Sequence, residues 1–208
     1  MSKFLFTGLV AAAALASAAS PAMAAPTVFT TTWDSTNFGS GPGFVILSSY
    51  EGWTGTPAGL EVQYNNVAGT PFSGANLVEL DTTRNSSITR TINAGNYLLR
   101  FYYSDRPNVS ANSNGINVSV GSTNLVSVAG GNGGSNTNFR LFTTRFVTTG
   151  PQTLTFAATG VSDSLGGYID DISLSGVPEP TTWALMIGGF GMVGGAMRRR
   201  GSRKLVAA

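Results

Sequence analysis

Short apolar runs alternate with turn-forming residues along most of the chain. Ile116, Val118 and Val120 are separated by single polar residues, which is the pattern of a strand with one buried face. Gly, Asn and Pro separate the runs, and no internal run has helical periodicity of useful length. The pattern predicts an all-β fold, a sandwich or a barrel, with strands at residues 28–33, 43–47, 60–64, 77–80, 87–92, 97–103, 116–120, 125–128, 139–147, 154–158 and 168–174.

The N-terminal segment, residues 1–24, has a different pattern. Lys3 precedes an apolar stretch of residues that is too short to span a membrane, and the stretch is followed by the A-x-A site Ala22-Met23-Ala24. These are the features of a secretory signal peptide. We therefore expect signal peptidase to cut after Ala24, which leaves Ala25 as the new N-terminus.

The C-terminal tail combines an extended step, an apolar run and a basic end. Proline lacks an N–H and favours extended geometry in the residue before it, so the Pro-Glu-Pro step is expected to be an exposed peptide accessible to a protease or transpeptidase. The apolar run 183–197 is shorter than the roughly 20 residues of a full span, and it predicts a short transmembrane helix with its arginine end in the cytoplasm. An ordinary membrane anchor is the alternative. The motif residues are Pro178, Glu179, Pro180, Trp183, Ala184, Arg198, Arg199 and Arg200.

The order of these features closely resembles the PEP-CTERM sorting signal of Gram-negative bacteria that make exopolysaccharide. The resemblance implies processing by an exosortase, a membrane cysteine transpeptidase, after a transient stay in the inner membrane. It also implies release to the medium or attachment at the cell surface. Residues 177–204 are accordingly assigned to the sorting signal and residues 25–176 to the domain that is delivered.

Composition excludes several function classes. The chain contains no Cys and no His, so disulfides, Cys/His metal sites and Ser-His-Asp triads are absent. Between residues 25 and 177, six arginines, no lysine and nine carboxylates leave a net charge of −3. Since nucleic-acid binding requires a basic surface, we expect no nucleic-acid partner.

A second resemblance covers residues 50–176, most of the domain. Residues 76–81, the aromatic strand 97–103 and the closing run 162–174, with its Gly-Gly-Tyr-Ile-Asp-Asp-Ile-Ser sequence, are similar to the galactose-binding-like jelly roll of many PEP-CTERM and cell-wall-associated proteins. The resemblance implies a single antiparallel jelly-roll β-sandwich, a fold shared with carbohydrate-binding modules. Fold alone does not determine function.

Three residues are candidates for ligand binding. Trp53 lies between two glycines in a polar stretch, and we expect it to be exposed as a platform on which a sugar could stack. Arg106 and Asn108 follow the aromatic strand and could add hydrogen bonds. The alternative is that each has only a structural role, since most aromatic residues of such a domain belong to its core.

Two sets of acidic residues suggest a metal site and a catalytic site. Asp170 and Asp34 are candidate ligands of a structural Ca²⁺, as in related carbohydrate-binding sandwiches, although Ca²⁺ requires more oxygen ligands than these. The alternative is that such an aspartate pairs with an arginine or caps a turn. The paired carboxylates of a glycosidase could be supplied by Glu61, Glu79 and Asp81.

The sequence therefore predicts a secreted, non-catalytic surface protein that binds or organises exopolysaccharide in a biofilm or envelope matrix. The alternative function is a structural matrix protein that acts through protein contacts without binding a glycan. A glycoside hydrolase is the third alternative, for which a cleft with converging carboxylates is required.

Overall fold

The computed structural model describes residues 27–177 and 180–201, which form thirteen strands and one helix. The strands are β1 Thr27–Thr31, β2 Gly43–Leu47, β3 Ser49–Tyr50, β4 Trp53–Thr56, β5 Leu60–Tyr64, β6 Asn76–Glu79, β7 Ser87–Ile92, β8 Gly95–Ser104, β9 Gly115–Val120, β10 Thr123–Ala129, β11 Arg140–Thr148, β12 Gln152–Ala158 and β13 Tyr168–Gly176. The helix, α1, is Pro180–Gly201.

The strands form two sheets. The larger sheet has seven strands in the order β11-β8-β13-β6-β5-β2, with β1 paired to β13. The smaller sheet has six strands in the order β10-β9-β12-β7-β4-β3. All of the pairings are antiparallel. The predicted antiparallel jelly-roll β-sandwich is confirmed.

The core lies between the two sheets and follows from the two-residue period of the strands. In β8, Leu99, Phe101 and Tyr103 are fully buried, whereas the exposed Arg100 points to the other face. Phe101 contacts Phe156 of the smaller sheet edge-to-face, with ring centroids 5.0 Å apart. Such aromatic pairs stabilise the contact beyond the area they bury, so this ring pair helps to hold the two sheets together.

One region of the core was not expected from the sequence. The hairpin of β3 and β4 occupies the stretch that was predicted as a polar loop, and Trp53, its first residue after the turn, has 0% exposure. Its Nε1 donates to Oγ1 of Thr31 at 3.0 Å, and its ring contacts Phe29 edge-to-face. The predicted exposure of Trp53 is wrong because Gly52, at φ +81°, closes a tight turn that directs the next side chain inward.

The helix α1 begins at Pro180, a position at which the fixed φ of proline favours a helix start. It runs to Gly201 and contains the whole predicted apolar segment 183–197, so the predicted helix is confirmed. No helix in the described ranges combines the length and the apolar character that crossing a membrane demands. That α1 crosses the inner membrane stays a prediction.

Candidate functional site

A cleft of about 380 Å³ opens on the outer face of the larger sheet. We refer to it as the sheet-face cleft. Strands β2 and β5 provide one wall and the floor, and the loops after β5, β6, β8 and β12 provide the rest. Its lining includes Phe44, Ile46, Glu61, Gln63, Val67 and Arg106.

The pairing of β2 with β5 places rings and polar groups side by side. Phe44 lies opposite Gln63, and Ile46 lies opposite Glu61. Side chains of directly opposed residues project from the same face, with Cβ atoms about 4.5–5.5 Å apart. Phe44 is 58% exposed, whereas Glu61 and Gln63 are buried. The cleft therefore has an exposed aromatic ring at its mouth and polar groups at its floor.

The floor is a hydrogen-bonded cluster of side chains from three strands. The Tyr168 hydroxyl donates to Oε1 of Gln63 at 3.0 Å. Nε2 of Gln63 then donates to Oε1 of Glu61 at 2.8 Å and to Oε2 of Glu79. The amide thus joins two carboxyl groups that β5 and β6 place opposite each other.

Arg106 completes the cluster from the loop that follows β8. Its Nη1 donates to Oε2 of Glu79 and to the Ser164 carbonyl, and its guanidinium carbon lies 5.8 Å from the centre of the Tyr168 ring. The side chain keeps 16% of its surface exposed. The structure therefore places Arg106 in the cleft, with its Nη1 hydrogen-bonded to Glu79 and to the Ser164 carbonyl.

Burial controls the acid groups of the cluster. It raises the pKa of Glu79 to about 8, because loss of solvation outweighs the lowering by Arg106, and the charge of Glu61 raises it further. Burial also raises the pKa of Glu61, against the lowering effect of its hydrogen bond from Gln63. Since Arg106, Gln63 and both carboxyl groups are joined by hydrogen bonds, the floor is a hydrogen-bonding surface.

Two of the predicted ligand-binding residues lie elsewhere. Trp53 belongs to the core, as described above. Asn108 is exposed at φ +59°, and its backbone N–H donates to the Gly134 carbonyl at 2.9 Å. It is not among the residues that line the sheet-face cleft. Of the three candidates, the structure brings only Arg106 to this cleft.

Asp170 and Asp34 both hold the segment between β5 and β6. Oδ2 of Asp170 accepts the N–H groups of Phe72 and Ser73, and Oδ1 of Asp34 accepts those of Ala75 and Asn76. Burial raises the pKa of Asp170 to about 8.

Among residues 27–177 and 180–201, no three His, Cys, Asp or Glu side chains converge as metal ligands would. Oxygens that already accept backbone N–H groups fit turn caps and do not fit the six to eight oxygen ligands of Ca²⁺. Calcium binding by Asp170 and Asp34 stays an untested prediction.

Two of the three carboxylates considered for glycoside hydrolysis are enclosed. Asp81 and Glu79 have 0% exposure. Oδ2 of Asp81 accepts the N–H groups of Asp163 and Ser164 at 2.8 and 2.9 Å, so it fixes the loop before β13. Hydrolysis needs two carboxyl groups that reach the scissile bond from both sides. Neither of these two groups is placed to do so.

Phe44 and Gln63 are the cleft residues that the sequence did not reveal. Phe44 lies in the run Phe-Val-Ile-Leu, which is apolar throughout, so alternation cannot tell which side chains face the core. Gln63 and Glu61 alternate with the core residue Val62, which was a signal for a shared polar face. Assigning that face to a site required the pairing partner β2.

Comparison with protein families identifies the C-terminal segment. Residues 176–200 match the PEP-CTERM protein-sorting motif. Within this match, Pro180, Ala184, Arg198 and Arg199 lie in α1. Pro178 and Glu179 lie outside the described residues, as do the predicted signal peptide and its cleavage residues Ala22, Ala24 and Ala25.

Comparison with solved structures identifies the fold of the domain. The K2 cleaved adhesin domain of Lys-gingipain aligns at a TM-score of 0.51 and 16% identity, over 71% of this chain and 97% of that one. A family 35 carbohydrate binding module from Clostridium thermocellum aligns at a TM-score of 0.41 and 14% identity, over 66% of this chain and 100% of that one.

A Stig cyclase from Fischerella sp. TAU aligns at a TM-score of 0.47 and 15% identity, over 65% of this chain and 89% of that one. No curated protein matches the sequence.

The chain is a jelly-roll β-sandwich followed by a PEP-CTERM sorting motif, and this motif indicates export and membrane-anchored sorting. At these identities the likeness to solved structures is one of fold alone.

Proposed function

We propose that this protein is an exosortase substrate that binds extracellular polysaccharide, without catalysing a reaction on it, through the sheet-face cleft. The observation that carries the proposal is the exposed Phe44 ring directly beside the polar floor formed by Glu61 and Gln63. The sorting motif supports the location in which such a ligand is met.

The chemistry of the cleft suits a sugar. A sugar ring has an apolar face of C–H groups, which an aromatic ring can cover, and a rim of hydroxyls that both donate and accept hydrogen bonds. Ligand sites commonly combine apolar surface with a few placed polar groups. Phe44 supplies the apolar surface, Glu61 supplies acceptor oxygens, and Arg106 supplies N–H donors at the same opening.

The charge of the cleft favours a neutral polysaccharide or an amino sugar over a polyuronate. Arg106 is paired with Glu79, and Glu61 adds a second carboxyl group. The domain between residues 25 and 177 has a net charge of −3. Like charges repel at long range, and Nη1 of Arg106 already donates to Glu79 and to the Ser164 carbonyl. An acidic polymer is therefore disfavoured at this cleft.

Retention on polysaccharide tests the proposal. The protein purified from its own cells is passed over immobilised exopolysaccharide from those cells, beside a neutral glucan and a polyuronate. We expect retention on a non-acidic polymer and at least a tenfold loss in Phe44→Ala. The control is Phe72→Ala, which removes another exposed ring (43%) from outside the cleft lining. Equal retention of the Phe44 variant and the wild type would overturn the assignment to this cleft.

The same experiment addresses calcium. It is run once with Ca²⁺ and once with a chelator. Because Asp34 and Asp170 are satisfied by backbone N–H groups, we expect equal retention in both. Loss of retention in the chelator would reinstate a metal-dependent fold or site.

A further inference from the structure

Strand β11 is a long edge strand with one side unpaired. It pairs with β8 without interruption, from Arg140 opposite Tyr103 to Thr148 opposite Gly95. It ends the larger sheet, and within residues 27–177 and 180–201 no further strand pairs with it. Edge strands present N–H and C=O groups that can pair with another strand.

β11 lacks most of the usual protections of an edge. Proteins blunt such edges with short strands, bulges, prolines or charged side chains, especially lysine, and of these β11 carries two arginines, Arg140 and Arg145. The opposite edge of the same sheet, β2, has only five residues. The edge of the smaller sheet, β10, contains a bulge between Asn124 and Val126. By contrast, β11 has nine residues in regular register, with the sequence Arg-Leu-Phe-Thr-Thr-Arg-Phe-Val-Thr.

We propose that two copies of this protein pair through β11, antiparallel and about a twofold axis. Overlap of all nine residues is possible in one register only, in which Thr144 lies opposite its own symmetry mate. That register places Leu141 opposite Val147 of the second copy, and these two side chains are 41% and 68% exposed in the single chain. Such cross-strand apolar pairs stabilise a sheet.

The charges of the strand fit the same register. Arg145 lies opposite Thr143 of the second copy, and Arg140 lies opposite Thr148. Shifted registers bring arginines together: one shift opposes Arg140 to Arg145, and another opposes Arg145 to itself. Like charges directly opposite are destabilising. The strand is thus complementary to itself in length, apolar pattern and charge, which is what an isologous twofold contact requires.

The pairing is compatible with ligand binding. β2, which carries Phe44 of the sheet-face cleft, lies at the other edge of the larger sheet. Both clefts therefore stay open in the pair. Two linked sites on one polymer gain affinity through their effective concentration. The pairing itself does not depend on the cleft being a glycan site.

Two substitutions of opposite charge at one position test the register. Sedimentation equilibrium is measured on the protein purified from its own cells. Thr143→Glu places a carboxylate opposite Arg145 of the second copy in two symmetric pairs, and we expect the dimer dissociation constant to fall about 3- to 10-fold. Thr143→Lys places like charges there, and we expect the constant to rise by a similar factor. A wild type that stays monomeric, or equal shifts in both variants, would overturn the proposal.

A third variant tests the apolar pair. Val147→Lys puts a charge against Leu141 of the second copy, so we expect at least a tenfold weaker dimer. The matched control is Val28→Lys on β1, where the valine is 51% exposed. The control should leave the dissociation constant unchanged. A control variant that weakens the dimer as much as Val147→Lys would overturn the role of β11.

Discussion

The Tyr168 hydroxyl donates a 3.0 Å hydrogen bond to Oε1 of Gln63, and this bond fixes the direction of a buried amide. With Oε1 held, Nε2 of Gln63 must point to the carboxyl groups of Glu61 and Glu79. The hydroxyl of Tyr168, the first residue of β13, therefore orients the polar side chains at the floor of the sheet-face cleft. These side chains include those of β5, which lies two strands from β13 in the same sheet.

Removing that hydroxyl should destabilise the domain. Tyr168→Phe leaves Oε1 of Gln63 buried without its donor, which costs about 1–3 kcal/mol of unfolding free energy. Urea denaturation measures the change. Tyr102→Phe is the control, since it removes a hydroxyl from the same sheet face without touching this cluster. Equal stability of the Tyr168 variant and the wild type would show that the hydrogen bond contributes nothing.

Trp53 should behave as a core residue. Trp53→Phe removes part of a fully buried ring and the bond from its Nε1 to Thr31, so we expect a loss of about 2 kcal/mol or more. Polysaccharide retention of the folded variant should match that of the wild type. A variant with normal stability and lost retention would restore the sugar-platform role that the sequence suggested.

The domain should be more stable in mild acid than in mild base. Burial raises the pKa of Glu79 and of Asp170 to about 8, from 4.5 and 3.8. Between those values the native state holds protons that the unfolded chain has released, so stability falls as the pH rises. We expect a loss on the order of a few kcal/mol between pH 5 and pH 8.5, measured by denaturation across that range.

The substitution Glu79→Gln shows how much the side-chain cluster at the cleft floor contributes to this pH dependence of stability. Glu79→Gln cannot ionise, so it should flatten the decline even though it weakens the contact with Arg106. A stability that rises from pH 5 to pH 8.5 in the wild type would contradict the raised pKa values.

Processing of the tail should depend on its prolines. Changing both Pro178 and Pro180 to Ala removes the Pro-Glu-Pro step that the sequence predicts to be an exposed peptide, so we expect unprocessed protein to accumulate in the inner membrane. Fractionation and immunoblotting measure this. Pro151→Ala, in the turn before β12, is the control for loss of proline elsewhere. Unchanged release of the double variant would contradict the sorting role of this step.

Strand positions were largely predictable because the strands carry local signals. β2, β5 and β7 have the predicted bounds, since each has a Gly, Asn or Pro beside it: Pro42 precedes β2, Asn65 follows β5 and Asn93 follows β7. β3 and β4 were missed because they are short and rich in Ser, Thr and Gly. That omission led directly to the wrong placement of Trp53.

The site was less predictable because it depends on pairing between strands. Arg106 was found from its position after an aromatic strand. Phe44 was not found, since its exposure follows from the register of β2 on β5 and from the sheet edge at which β2 lies. Asp170 was predicted as a metal ligand, whereas its bonds to the N–H groups of Phe72 and Ser73 involve residues far away in the sequence.

The most direct test of the central claim is to map polysaccharide binding by NMR. Fragments of the cells' own non-acidic exopolysaccharide are titrated into isotopically labelled protein. The account predicts that the largest shifts fall on the Phe44 ring, the Gln63 side-chain amide and the Arg106 guanidinium. Shifts confined to the separate groove lined by Phe38 and Tyr64, or no shifts at saturating polysaccharide, would contradict it.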